Sequence, residues 1–259
     1  MFRERRGWIS KTPSGNFVHK EKEVHGSLLA KIIIISFAGS LMCLDRIFIQ
    51  TMISRPIVIA PVTGLILGDP YTGLMIGAIL ELFWMDRVPI GIYIPPNDSI
   101  AAAFASSLAI LAGGGASGSA DRPMIALAVL IAIPFGIAVK QIDVKIMQAN
   151  NRLSDAAIQE AKELNIHGIE RKTYFALARM WLLYLVELFV MQIIFIPLTG
   201  KFYPLLPAAL HNALAMTYYF LLALGVAVAL STVKLRGVVP VFCALFLIIA
   251  LVVEFVHVF

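Results

Sequence analysis

One stretch of the chain, residues 55–102, combines features that few environments tolerate together. It is long and apolar, it is interrupted by glycines and prolines, and it carries Asp69, Glu81, Asp86, Arg87, Asn97 and Asp98. A soluble core excludes that many polar groups, and a lipid-facing helix excludes both the charges and the glycines. A membrane-embedded cavity accepts both, because broken helices there present polar groups to a polar ligand. The stretch therefore predicts an all-α, polytopic membrane bundle with broken or re-entrant half-helices.

The composition of the 259-residue chain also favours a membrane protein. Hydrophobic residues make up 59% and charged residues 14%, whereas soluble domains carry about 25% charged residues. The formal charge of +5 does not indicate nucleic-acid binding, because 14 of the 21 Lys and Arg residues fall in residues 1–31 and 140–179. Such clusters are typical of cytoplasmic flanks of membrane spans. Membrane lipid, not nucleic acid, is the expected partner of this charge.

Apolar runs predict the crossings. A helical crossing takes about 20 residues, and the runs that approach this length lie near residues 28–50, 99–114, 123–139, 174–198, 205–230 and 238–258. The run at residues 99–114 is rich in small residues, so we expect it to lie inside the bundle.

The runs at 56–68 and 71–85 are too short to cross singly and contain several prolines and glycines. We predict two half-helices that meet at the turn from Gly68 to Pro70. Counted as one broken crossing, they give four crossings between residues 28 and 139. A polar N-terminal tail (1–27) and the polar segment 140–173 then both lie in the cytoplasm, and residues 28–259 form the transmembrane domain. If each half-helix instead enters and leaves the membrane on the same side, the number of crossings between residues 28 and 139 is odd.

The segment 140–173 is the long polar interior stretch, and its apolar residues recur at helical spacing. Ser154 and Asp155 are expected to start a second helical turn and Gly168 to end it. The favoured interpretation is an amphipathic helix lying on the membrane or on the bundle. The alternative is a docking surface for a soluble partner.

Four polar residues are candidates for binding a substrate: Glu81, Asp98, Asn97 and Asp45. An ionisable residue within the membrane is a functional candidate because leaving it unpaired costs several kcal/mol. For Glu81 the alternative is an ion pair with Arg55 or Arg87. Asp45 is either an interfacial residue or a cavity residue.

Asn97 and Asp98 precede the small-residue helix, so either of them, or Ser99, can cap it. A carboxylate beside a carboxamide also suits a ligand with several hydroxyl groups, because the pair both accepts and donates hydrogen bonds. Trp84 and Tyr93 are candidates for stacking on a sugar ring, and packing or membrane-belt roles are the alternative.

The remaining reactive side chains predict no chemistry. Cys43 and Cys243 lie singly in apolar runs, so inert buried thiols are expected. The five histidines are scattered, without a nucleophile and base arranged together, at His19, His25, His167, His211 and His257. We expect no catalytic residue, no metal site and no cofactor.

An ordered set of residues resembles the membrane IIC component of the mannose/fructose/sorbose family of bacterial phosphotransferase systems. The matching residues are Arg55-Pro56, Gly64, Leu67-Gly68-Asp69, Thr72-Gly73, Ile76-Gly77, Leu80-Glu81, Ile90-Gly91, and Pro96 with Asp98. This part of the resemblance covers about residues 36–115. The chain departs from the family pattern at Asn97 and at the charged pair Asp86-Arg87.

The resemblance implies a multi-pass protein of the bacterial inner membrane that forms a sugar path for a hexose. It implies a IID-type membrane subunit and soluble IIA and IIB phosphocarriers as partners, in a homo- or hetero-oligomer, with sugar phosphorylated from phosphoenolpyruvate. A IIC chain carries no phosphorylated residue in such systems. Glu81, Asp98 and Asn97 are then expected to bind sugar hydroxyls, with Asp45 as a weaker candidate. The alternative function is a membrane-bound regulatory module that reports phosphocarrier status without transport.

Overall fold

The computed structural model describes residues 14–87, 93–113 and 120–232, together with residues 240, 242–244 and 247–248, and for residues 14–27 it describes the backbone alone. These residues form helices and one 3₁₀ turn and contain no strand, which confirms the predicted all-α class. The helices are α1 (Ser14–Leu44), α2 (Pro56–Leu67), α3 (Pro70–Phe83), α4 (Asp98–Gly113), α5 (Arg122–Lys162), α6 (Ile166–Phe202) and α7 (Ala208–Thr232). Most of the predicted span 238–258 and the Ile90-Gly91 pair lie outside the described residues.

Helices α2 and α3 are the two predicted half-helices. Pro56 opens α2, and Gly68 ends it with φ of 91°, a left-handed conformation that glycine adopts without steric cost. The Asp69 carboxylate then caps α3 by accepting a hydrogen bond from the Thr72 amide at 3.0 Å. Asp69 is thus the N-cap of α3.

The two half-helices are antiparallel and lie in close contact. A Cβ atom on Gly77 would lie 2.6 Å from the carbonyl oxygen of Pro56, and one on Gly73 would lie 2.4 Å from that of Ala60. The end of α3 therefore returns to the start of α2. Since α2 and α3 are only about 18 and 21 Å long, they form a re-entrant hairpin. The prediction of one broken crossing through residues 56–85 is wrong, because α3 returns alongside α2 in the opposite direction.

This hairpin changes the predicted number of crossings. Helix α4 starts beside the end of α1, where Arg46 binds Asp98, and it runs antiparallel to α5, with Gly113 against Met124 and Gly136 against the Asn97 backbone. Helices α1, α4 and α5 thus run in alternating directions through the bundle, and the hairpin ends on the side where it starts. The start of α1 and the polar half of α5 lie on opposite sides of the bundle, which differs from the predicted arrangement of both on one side. Which side faces the cytoplasm stays a prediction.

Helix α5 continues without interruption into the polar segment. It is 41 residues long and ends at Lys162, and α6 begins after the Asn165 side chain, which accepts a hydrogen bond from the Gly168 amide. Ser154 and Asp155 lie inside α5 and Gly168 lies inside α6, so the predicted separate helix between them is wrong. Residues 140–173 therefore form the projecting ends of α5 and α6.

Helix α4 is the core of the bundle. Every residue from Ser99 to Ile110 is buried, and the ring of Phe104 lies edge-on to those of Phe135 and Phe195. The prediction that small residues place this segment inside the bundle is confirmed, because alanine and serine let the neighbouring helices approach closely. Helices α5, α6 with its 3₁₀ extension, and α7 are long and apolar enough to span a membrane.

Candidate functional site

A cavity of about 690 Å³ opens where α1 ends and α4 begins. Its wall is formed by the loop after α1, the end of the α2–α3 hairpin, the start of α4, and α5 and α6. Its polar and aromatic lining residues are Asp45, Arg46, Gln50, Ser54, Arg55, Trp84, Arg87, Tyr93, Asp98, Asp143 and Tyr184. The cavity therefore contains both charged groups and aromatic rings.

Asp98 and Arg46 form the ion pair at the centre of this wall. Arg46 Nη1 donates to Asp98 Oδ1 at 2.7 Å, and the Ser99 amide donates to the same oxygen at 2.9 Å. Both side chains remain about a quarter exposed. The pair presents a donor and an acceptor to the cavity with no net charge, and Asp98 is one of the lining residues.

Asp45 lines the cavity and orders the loop that follows α1. Its Oδ1 accepts hydrogen bonds from the amide and the hydroxyl of Thr51 at 2.8 and 2.6 Å, and its Oδ2 accepts one from the Ser54 amide at 3.3 Å. These bonds hold Gln50 and Met52 with positive φ of 61° and 67°. Both carboxylate oxygens of Asp45 are thus used in hydrogen bonds that shape this loop.

Asn97 lies behind the cavity wall. Its carbonyl oxygen caps α4 by accepting from the Ile100 amide at 3.1 Å, and its Nδ2 donates to Asp143 Oδ2 at 2.8 Å. Asn97 is 2% exposed and does not line the cavity. Its amide orients Asp143.

Asp143 is the carboxylate that the sequence analysis did not single out. It is 7% exposed and lines the cavity, and its Oδ1 has no hydrogen-bond partner among the described residues. The available signal was its spacing, because Asp143 continues the buried stripe of α5 that includes residues 125, 129, 132, 136 and 139. The stripe was missed because residues 140–173 were interpreted as a surface helix separate from the preceding span.

Glu81 does not line the cavity. Its carboxylate pairs with the Arg55 guanidinium and accepts a hydrogen bond from the Ile57 amide at 3.3 Å. These contacts join the end of α3 to the start of α2. Glu81 thus forms the ion pair with Arg55 that the sequence offered as the alternative to substrate binding.

Aromatic rings form part of the cavity wall. Trp84 and Tyr93, two candidates from the sequence, line it, and so does Tyr184, which the sequence analysis did not single out. The Tyr93 hydroxyl accepts a hydrogen bond from Arg87 at 3.2 Å, and the Lys140 ammonium lies 5.0 Å from the centre of the Tyr93 ring.

A second set of buried polar groups lies between α1 and α6. Glu187 is 8% exposed, and neither of its carboxylate oxygens has a partner among the described residues. Gln192 donates to the Ser36 hydroxyl at 3.5 Å. Glu187 does not line the cavity, and a charged residue inside an apolar run was the signal for it.

The family model for sorbose-specific IIC components of phosphotransferase systems matches residues 29–258. The chain belongs to this IIC family. Together with its membrane-length apolar helices, this makes it a multi-pass bacterial membrane protein and a sugar-translocating subunit.

Individual IIC relatives match at different lengths. A protein of Escherichia coli (strain K12) that carries the name N-acetylgalactosamine permease IIC component 2 is 38% identical over 90 residues, which are 35% of this chain and 61% of that protein. The match thus spans less than two thirds of that relative. The sorbose-specific EIIC component of Lacticaseibacillus casei is 25% identical and covers 82% of this chain and 74% of its own. The fructose permease IIC component of Bacillus subtilis (strain 168) is 23% identical and covers 86% and 78%.

Solved structures share the fold of this IIC chain. One, described as a membrane protein, superposes with a TM-score of 0.66 at 18% identity over 86% of both chains. Another, from a complex of the mannose transporter ManYZ with microcin E492, has a TM-score of 0.56 at 18% identity and covers 87% of this chain and 86% of that one.

Proposed function

We propose that this IIC chain binds a hexose of the mannose/fructose/sorbose class in the 690 Å³ cavity. The volume lies within the range of small-molecule sites, about 300–1,000 Å³. A hexose presents several hydroxyl groups and an apolar ring face, and the cavity offers polar groups for the first and aromatic rings for the second.

The observation that carries this proposal is the free Oδ1 of Asp143. A buried carboxylate oxygen without a donor costs free energy unless a ligand or water supplies one. Asn97 holds the other oxygen and so fixes the direction of the free one. A sugar hydroxyl donating to Asp143 Oδ1 satisfies the group, while the Asp98–Arg46 pair binds further hydroxyls.

The other candidate residues then support the site from outside it. Asn97 orients Asp143, Asp45 shapes the loop after α1, and the Glu81–Arg55 pair closes the hairpin. The substrate-binding set that we propose is Asp98 and Asp143, with Trp84 and Tyr184 as aromatic walls.

We further propose that the chain works with a IID-type membrane subunit and soluble IIA and IIB phosphocarriers. The solved ManYZ assembly is a related arrangement. The outer face of the hairpin exposes Leu65, Gly68 and Tyr71 near the turn. Irregular backbone at membrane depth requires cover by protein, which supports a partner subunit or a second copy on this face. Phosphorylation of the bound sugar by the soluble carriers, and not by this chain, makes entry one-way.

The proposed function is tested by uptake and binding together. The chain is co-expressed and purified with a IID-type subunit, and binding of a panel of hexoses is measured by isothermal titration calorimetry. We expect at least one hexose of this class to bind and its uptake to require phosphoenolpyruvate. Binding without uptake supports the regulatory alternative, and absence of binding to every hexose refutes the assignment of the cavity.

The Glu81–Arg55 pair gives a prediction that separates support from binding. We expect Glu81→Gln to destabilise the folded chain by about 1–2 kcal/mol, since the pair is partly exposed to solvent. Sugar affinity is expected to stay within about twofold, because Glu81 does not line the cavity. Thermal unfolding and calorimetric titration measure the two effects. A large loss of sugar affinity in this variant without a loss of folding stability would show that Glu81 takes part in sugar binding.

A further inference from the structure

A second cavity lies between the projecting parts of α5 and α6. Its volume is about 520 Å³, and it is lined by Gln148, Ala149, Arg152, Leu153 and Arg179. Neither the sugar cavity nor the hairpin shares a lining residue with it.

The charge in this cavity is not balanced by the side chains that the structure describes. Among the side chains that the structure describes, no carboxylate oxygen lies within 4.0 Å of the guanidinium of Arg152 or Arg179. Farther along the same helical pair, Lys172 is paired with Glu160. Two unpaired guanidinium groups that line one cavity repel each other, so the cavity favours an anion.

The cavity lies at the level where α6 changes from polar to apolar. Arg179 is the last basic residue before the apolar run that starts at Met180. Trp181, two residues farther on, packs edge-on against Phe37 of α1 within the bundle. A basic residue at the start of an apolar run is typical of a helix that enters the headgroup region.

The side of α6 below this level is apolar and open. Leu182 is 56% and Val186 46% exposed. A molecule whose phosphate lies between the arginines therefore has apolar surface next to it, on which hydrocarbon chains can pack. Free phosphate makes no use of that surface.

We propose that this cavity binds the phosphate group of an anionic phospholipid. Arg152 and Arg179 donate paired hydrogen bonds to the phosphate oxygens, a geometry for which the planar guanidinium is suited. The Gln148 amide adds a donor. The lipid holds α5 and α6 together where they leave the membrane, which is a role separate from sugar binding.

The test is lipid binding by the full chain, measured by native mass spectrometry in detergent with added phosphatidylglycerol or phosphatidylcholine. We expect phosphatidylglycerol to be retained by the wild type and the variant R152Q/R179Q to bind it about 10- to 30-fold more weakly. Arg171→Gln is the matched control, since Arg171 is exposed on the same helix and does not line the cavity. R152K/R179K keeps the charge but loses the paired hydrogen bonds of the guanidinium groups, so its binding is expected to lie between that of the wild type and that of R152Q/R179Q.

Three results would overturn the lipid site. They are equal binding of phosphatidylcholine, unchanged phosphatidylglycerol binding by R152Q/R179Q, and displacement of phosphatidylglycerol by millimolar inorganic phosphate, which would indicate a soluble phosphate ligand. If R152Q/R179Q does not fold, the proposal is tested with the wild type alone. Phosphatidylglycerol must then raise its unfolding temperature more than phosphatidylcholine does, and an equal rise refutes the proposal.

Discussion

Replacing Asp143 by asparagine is expected to abolish sugar uptake while leaving the chain folded. The amide oxygen of the variant can still accept the hydrogen bond from Asn97. The oxygen without a partner, Oδ1, is then replaced by an N–H₂ donor, which cannot accept a hydrogen bond from a sugar hydroxyl. We expect sugar affinity to fall by at least about 100-fold, because a site built to bind a hydroxyl loses both the bond and its geometry. Calorimetric titration and uptake by cells that lack their own system measure the loss.

A matched control for this variant is Asp86→Asn. Asp86 is exposed, pairs with Arg87 and does not line the cavity. We expect its replacement to change sugar affinity by less than about twofold, because exposed ion pairs contribute little free energy. Uptake at the wild-type rate by Asp143→Asn would remove Asp143 from the site, whatever the control shows.

Replacing Gly73 by alanine is expected to prevent the α2–α3 hairpin from forming. The added Cβ atom would lie 2.4 Å from the carbonyl oxygen and 2.9 Å from the carbonyl carbon of Ala60. Both are backbone atoms, so the helices must separate and the buried contacts between them are lost. We expect a destabilisation of at least about 3 kcal/mol, at the upper end for overpacked sites. Thermal unfolding and the monodisperse fraction on size-exclusion chromatography measure it.

Gly200→Ala is the control for the hairpin variant. Gly200 is also helical, but a Cβ atom there meets no heavy atom within 4 Å. This variant is expected to be as stable as the wild type or slightly more stable, because alanine favours helix more than glycine does. Equal stability of the two variants would contradict the close contact between α2 and α3.

The sequence was sufficient for the local features of the fold. Pro56, Gly68 and Asp69 determine where the half-helices start and end through backbone conformation and capping, which depend on neighbours along the chain. The small residues of α4 predicted its burial. The direction of α3 relative to α2 was not predictable in this way. It depends on contacts such as that between Gly77 and Pro56, which are remote in sequence.

The site was predicted only in part, for the same reason. Asp98 and Asp45, two of the four candidates from the sequence, line the cavity. Asn97 and Glu81 are polar residues of the same stretch, yet their partners, Asp143 and Arg55, draw them away from the cavity wall. Asp143 and Tyr184 come from distant helices, and their approach depends on how α5 and α6 pack together.

The shape of the α2–α3 hairpin has a consequence for movement. Both of its ends meet the rest of the chain at one mouth, where Arg55 and Glu81 are joined. Its two arms are bound by glycine contacts along their length. We expect such a unit to move as one rigid body about that mouth, because its turn is connected to the rest of the chain only through its own two arms. A change between two states of the transporter would then need a tilt of the hairpin and no unwinding of a helix.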